Sequence, residues 1–128
     1  MANRFLIDTD VLIEYLRGSD PAVRFLEALS GTLHISAITV AELFTGAQSE
    51  AGQEALEQFL RTFGGVPVDG ELAKRGGLLR RDYGPSHGVG LADALVAAST
   101  ERAQATLVTF DRRHFPVLEE VLVPYSPA

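Results

Sequence analysis

Short runs too apolar to face water recur along this chain, each followed by a stretch with helical periodicity, and that alternation limits what it can fold into. RFLI (4–7), LHIS (33–36) and TLVT (106–109) read as buried strands, with briefer ones at 66–68 and 121–123. The periodicity predicts helices over 11–17, 21–29, about 38–47, about 53–62 (closed by Gly64-Gly65), about 70–81 and 91–103. Asp20 is placed to cap the second helix, ahead of Pro21 in its first turn. The stretch 83–90, YGPSHGVG, reads as a loop from its Gly and Pro content. Strands that are apolar throughout and separated by helices call for an α/β fold, a parallel sheet covered on both faces.

At 128 residues the chain fits one domain, 1–128, large enough for an ordinary core. Cysteine is absent, which excludes a disulfide framework and a thiolate zinc site. No stretch approaches the ~18 apolar residues of a membrane span, and the apolar run at the start stops at Asp8, too early for a secretion signal. The chain therefore reads as a soluble, cytoplasmic protein with no membrane contact. Its net charge of −6 argues against passive coating of nucleic acid. That charge is compatible with a nuclease, because divalent cations invert the field of an acidic pocket. Lys74 is the only lysine, so the other basic side chains are arginines, suited to forked phosphate contacts.

Four acids fall where this layout brings chain segments together. Asp8 directly follows the first strand, and Asp111 lies two residues past TLVT. Ligands of open parallel sheets bind beyond the carboxyl ends of the strands. Glu42 sits in the helix after the second strand, and Asp93 in the first turn of the helix leading to TLVT. Each acid alone has an ordinary explanation as a helix cap, a helix-dipole acid or a solvated side chain. Together, in apolar contexts, they would repel one another and resist ionisation. A hard cation relieves both problems, so an oxygen-only Mg²⁺ site (with Mn²⁺ as the alternative ion) is expected. The three histidines, His34, His87 and His114, look scattered and supply no zinc set.

FLIDTDVLIEYLRG, ISAITVAELFTGA, GLADALVAAST and TLVTFDRRHF, in this order, resemble the PIN-domain ribonucleases, and among them the VapC-type toxins of bacterial toxin–antitoxin pairs. The resemblance spans Phe5 to Val123. It implies a three-layer α/β/α fold around a five-stranded parallel sheet. It implies a metal-dependent endoribonuclease in which Asp8, Glu42, Asp93 and Asp111 are both the catalytic and the metal-binding acids. Thr9 and Thr109 match the family's supporting hydroxyls. Asp10 departs from the small polar residue common at its position; it either adds charge near the metal or caps the following helix. The last block also departs from the pattern, with Asp111 early and His114-Phe115 after it. Arg80, Arg81, Arg112 and Arg113 flank the acidic segments and are expected to contact RNA phosphates. The family further implies a cognate antitoxin, docked on apolar positions of the first helices (Val11, Leu12, Tyr15, Leu16, Phe25, Leu26, Leu29), and a homodimer. Two alternatives share the Asp-rich strand end: a haloacid-dehalogenase-like phosphatase using Asp8 as nucleophile, and a receiver-like signalling module without enzymatic activity.

Overall fold

The computed structural model describes residues 3–126. Five strands, β1 (Arg4–Ile7), β2 (Thr32–Ser36), β3 (Gly64–Val66), β4 (Thr106–Val108) and β5 (Val121–Leu122), form one sheet in the order β3-β2-β1-β4-β5. Every pairing is parallel. The helices are α1 (Thr9–Leu16), α2 (Asp20–Ala28), α3 (Ala37–Thr45), α4 (Glu50–Leu60), α5 (Gly70–His87) and α6 (Leu91–Ala103). Among the described residues, no helix is long and apolar enough to cross a membrane.

Strand periodicity builds two cores. Successive side chains of a strand point to opposite faces, so Leu6 and Leu107 join one cluster while Ile7 and Val108 join the other. The first cluster packs the sheet against Leu72 and Leu79 of α5 and Val96 and Ala97 of α6. The second packs it against Val11 and Leu12 of α1, Leu26 of α2, Leu43 of α3 and Leu56 of α4. Leu6, Ile7, Leu107 and Val108 are wholly buried, each stabilising the fold by roughly 1.5–3 kcal/mol through burial. This is the layered parallel architecture expected from the alternating runs.

Three local expectations need correction. Ser19, not Asp20, is the N-cap residue of α2; Asp20 is already helical, and no side-chain cap hydrogen bond forms there. Gly64 and Gly65 do not close α4 but belong to β3, which is thereby shifted to start two residues before Val66. The largest change is in α5, which continues through the stretch read as a loop and ends only at Gly88, whose φ of 64° and N–H bond to Gly84 O stop it. Pro85 deletes one backbone donor near the end of the helix. Tertiary packing compensates in this stretch: Tyr83 packs against the first cluster, and Val89, just past the helix end, is buried in it. Helix propensity is a weak term beside such packing.

Candidate active site

The carboxyl ends of β1 and β4, adjacent strands at the centre of the sheet, set the floor of the site. Asp8 leaves β1 with its N–H still bonded to Val108 O at 2.9 Å. Its Oδ1 accepts from Thr9 N at 2.8 Å, capping α1, and its Oδ2 accepts from Thr109 Oγ1 at 2.8 Å. Thr109 is fully buried and acts as a hub. Its hydroxyl also lies 3.3 Å from Asp10 Oδ2 and accepts from Asp111 N at 3.1 Å. Asp10 does not cap α1, because Asp8 holds the N-cap position and Asp10 already lies in the first helical turn. Its Oδ1 takes Val11 N at 2.7 Å within α1, while its Oδ2 takes Phe110 N at 3.2 Å, tying α1 to the segment after β4.

On one flank, α3 presents Glu42, whose Oε1 accepts from Thr9 Oγ1 at 2.6 Å; Thr9 Oγ1 in turn lies 3.0 Å from the buried Thr39 hydroxyl. On the other flank, α6 begins at Leu91 after the N-cap residue Gly90, without a side-chain cap, and carries Asp93 in its first turn. Asp111 precedes a short 3₁₀ turn, Arg112–His114, and makes no side-chain cap bond to it. Instead its Oδ2 meets His114 Nδ1 at 2.6 Å, and the same nitrogen stands 3.4 Å from Asp93 Oδ2. His114 is therefore not scattered: it stands between two of the predicted acids. Its i,i+3 spacing from Asp111 in a tight turn was the available signal.

Burial first, and then the crowding of like charges, raises the pKa values of three of these carboxyls. Asp8 is raised from 3.8 to about 7, first by burial and then by the charge of Asp10, against the lowering bonds from Thr109 and Thr9; Asp93 adds a smaller upward push. Asp10 is raised, mainly by burial, with Asp111 contributing repulsion. Asp93 is raised by burial; His114 opposes this, while Asp111 and Glu42 add to it. Glu42, Asp8, Asp10, Asp93 and Asp111 thus belong to one electrostatic neighbourhood.

Among the described residues, no three His, Asp or Glu side chains are already drawn together tightly enough to hold an ion. Mg²⁺ does not require this, since it binds through one or two carboxylates and keeps several waters. The donor chemistry fits a hard cation: hard carboxylate oxygens, two of them on Asp8 and Asp93 held above their ordinary pKa for want of compensating charge. A cation removes that cost.

The arginines divide. Arg112 bonds Val121 O at 3.2 Å, and Arg113, 91% exposed, stands 3.8 Å from Asp111 Oδ1. Arg81 pairs with its neighbour Asp82, and the Arg80 guanidinium lies over Gly84 of the same helix. The apolar positions of α1 and α2 divide as well. Val11, Leu12 and Leu26 are consumed by the core, and Tyr15 stacks on Phe59 with ring centroids 5.5 Å apart. Leu16 is 46% exposed, and beside it Ile13, absent from the sequence reading, is 37% exposed. With Leu43, Ala47, Ala55 and Leu56 these two line an open apolar groove between α1, α3 and α4.

Comparison with known proteins fits this geometry. The family model for the PIN domain matches residues 5–120. Ribonuclease VapC10 of Mycobacterium tuberculosis is 35% identical over 124 residues, covering 94% of this chain and 92% of its own length. Ribonuclease VapC19 of the same organism is 34% identical over 124 residues, covering 94% and 98%. Among solved structures, a toxin–antitoxin complex from Klebsiella pneumoniae aligns with a TM-score of 0.82 at 28% identity, over 95% of this chain and 98% of that one. FitAcB from Neisseria gonorrhoeae aligns with a TM-score of 0.76 at 29% identity, over 94% and 97%. That family is neither the phosphatase nor the receiver alternative. The chain belongs to the PIN-domain family, on its VapC side.

Proposed function

We propose that this chain is the ribonuclease toxin of a toxin–antitoxin pair and that it hydrolyses RNA phosphodiesters with the help of Mg²⁺ or Mn²⁺. One observation carries the reading: acids from four separate stretches of chain gather near the ends of β1 and β4, Asp8 and Glu42 held by threonine hydroxyls and Asp93 and Asp111 by His114. Similarity to proteins named ribonucleases, over nearly the whole chain, supports the substrate class.

Asp8 and Asp93 would hold the cation, with Glu42 and Asp111 beside it. A bound divalent ion supplies Lewis acidity toward a phosphoryl oxygen and lowers the pKa of water. The chain's own groups do the rest. Thr109 and the Thr9 N–H fix the rotamer of Asp8 at the end of β1. Thr9 occupies Oε1 of Glu42 and leaves Oε2 free to accept a proton from an attacking water. Arg112 and Arg113, next to Asp111, offer phosphate contacts at the rim. The groove lined by Ile13 and Leu16 offers an apolar seat for an antitoxin segment, and a second copy of the chain completes the expected assembly.

Asp8→Asn preserves size and keeps an acceptor for Thr9 N, while its Nδ2 donates to Thr109 Oγ1 in place of accepting from it. It should lower RNA cleavage on the order of 10³-fold or more, the scale of removing one preorganised electrostatic partner, with the circular dichroism spectrum unchanged. Mapping 5′ ends of RNA after incubation with each protein is the check. Undiminished cleavage by the variant, in nuclease-free preparations, would sink the proposal.

A further inference from the structure

His114 supplies a role that the acids alone do not. Its Nδ1 is 2.6 Å from Asp111 Oδ2 and 3.4 Å from Asp93 Oδ2. Ionised carboxylate oxygens only accept, so a nitrogen at 2.6 Å must carry the hydrogen. A ring nitrogen that carries a hydrogen has no lone pair for a cation. Toward Asp93 and Asp111, then, Nδ1 of His114 is a donor and competes with a cation for their oxygens. The two distances also rank its partners. The short bond to Asp111 is a charge-assisted one; the contact to Asp93 is long and easily given up. Asp111 has further support from the chain itself, with Arg113 Nε 3.8 Å from its other oxygen and its own N–H fixed on Thr109. Asp93 has no comparable second partner among the described residues.

We propose that His114 is a positioning residue that divides the acids: it keeps Asp111 engaged as an outer group and yields Asp93 to the cation, so that it weakens and shapes cation binding. The inference rests on the metal-dependent reading above and deepens it. Because the imidazole and the cation draw on the same oxygens, removing the imidazole tightens cation binding. An amide at the same place restores the competition, since asparagine Nδ2 overlays histidine Nδ1.

The test uses purified full-length protein free of any partner. Mn²⁺ affinity is read from the electron paramagnetic resonance signal of free Mn²⁺, for the wild type, His114→Ala and His114→Asn. His114→Ala is expected to bind Mn²⁺ about fivefold more tightly, the effect of losing one exposed charge-assisted contact, and His114→Asn to return toward the wild-type value. Independently of any variant, the ¹⁵N resonances of His114 in wild-type protein should keep the Nδ1–H form when Mg²⁺ is added. Equal Mn²⁺ affinity in all three proteins would overturn the competition. Weaker binding by His114→Ala would overturn it whichever ring nitrogen keeps its hydrogen, because it would make His114 a ligand. Failure of the wild type and both variants to bind Mn²⁺ would instead overturn the metal-dependent reading, and this inference with it.

Discussion

The two halves of the acidic site are braced by different chemistry. Asp8 and Asp10 lie deep, held by the buried Thr109 hydroxyl and by backbone N–H groups of Thr9, Val11 and Phe110. Asp93 and Asp111 lie at the rim, about one-third exposed, and are bridged by an imidazole. Neutral donors fix the direction of a carboxylate but leave its charge uncompensated, and burial then pushes its pKa up. A rim imidazole softens the field and can move aside. The deep half therefore stores the electrostatic strain that a cation relieves, while the rim half controls how the ion is received.

The largest expected effect tests the deep half. The pKa of Asp8 is about 7 in the fold against 3.8 as its ordinary value, so the native state binds the proton more tightly than the unfolded chain. Its contribution to stability is full below about pH 4 and is lost as pH rises through 7. At 1.36 kcal/mol per unit, that loss is up to about 4 kcal/mol. Thermal melts of cation-free protein should show the wild type losing stability between pH 5 and pH 8 relative to Asp8→Asn, with millimolar Mg²⁺ flattening the difference. Parallel curves for the two proteins without cation would place the strain elsewhere.

Next in size is the brace itself. Thr109→Val keeps the shape and removes the hydroxyl shared by Asp8, Asp10 and Asp111. A loss of about 10–100-fold in cation affinity is expected, with Thr109→Ser recovering most of it. Calorimetric titration with Mn²⁺ measures this directly. The sign is opposite to that expected for His114→Ala, and a loss from both would erase the distinction between the halves. The smallest effect concerns the arginines beyond the rim. Replacing Arg112 and Arg113 by alanine should flatten the log–log salt dependence of RNA binding by roughly one to two units of slope, seen by filter binding with an Asp8→Asn background. An unaltered slope would remove them from the RNA path.

Much of this arrangement is legible in the primary structure because it follows from short-range pattern. The run RFLI is bounded on one side by Asp8, and α6 begins at Leu91 and ends at Ala103 as its periodicity indicates. The ends of parallel strands then bring Asp8 and Asp111 to one edge without knowledge of side-chain rotamers. What stayed hidden depended on contacts between distant segments. The tail of α5 stays helical where Tyr83 packs on the core and Val89 is buried just past the helix end, which outweighs the turn-forming composition of YGPSHGVG. Asp10 serves two segments at once, which no local rule foretells. His114 owes its position to the 3₁₀ turn and to the approach of α6, and the exposure of Ile13 depends on where α3 and α4 settle.

The bond from Thr109 to Asp8 joins positions 101 residues apart, across the central strand pair. During synthesis β1 therefore waits, with its first carboxylate unbraced, until β4 has left the ribosome tunnel and taken its place beside it. A chain cut short before Thr109 therefore leaves Asp8 without that brace.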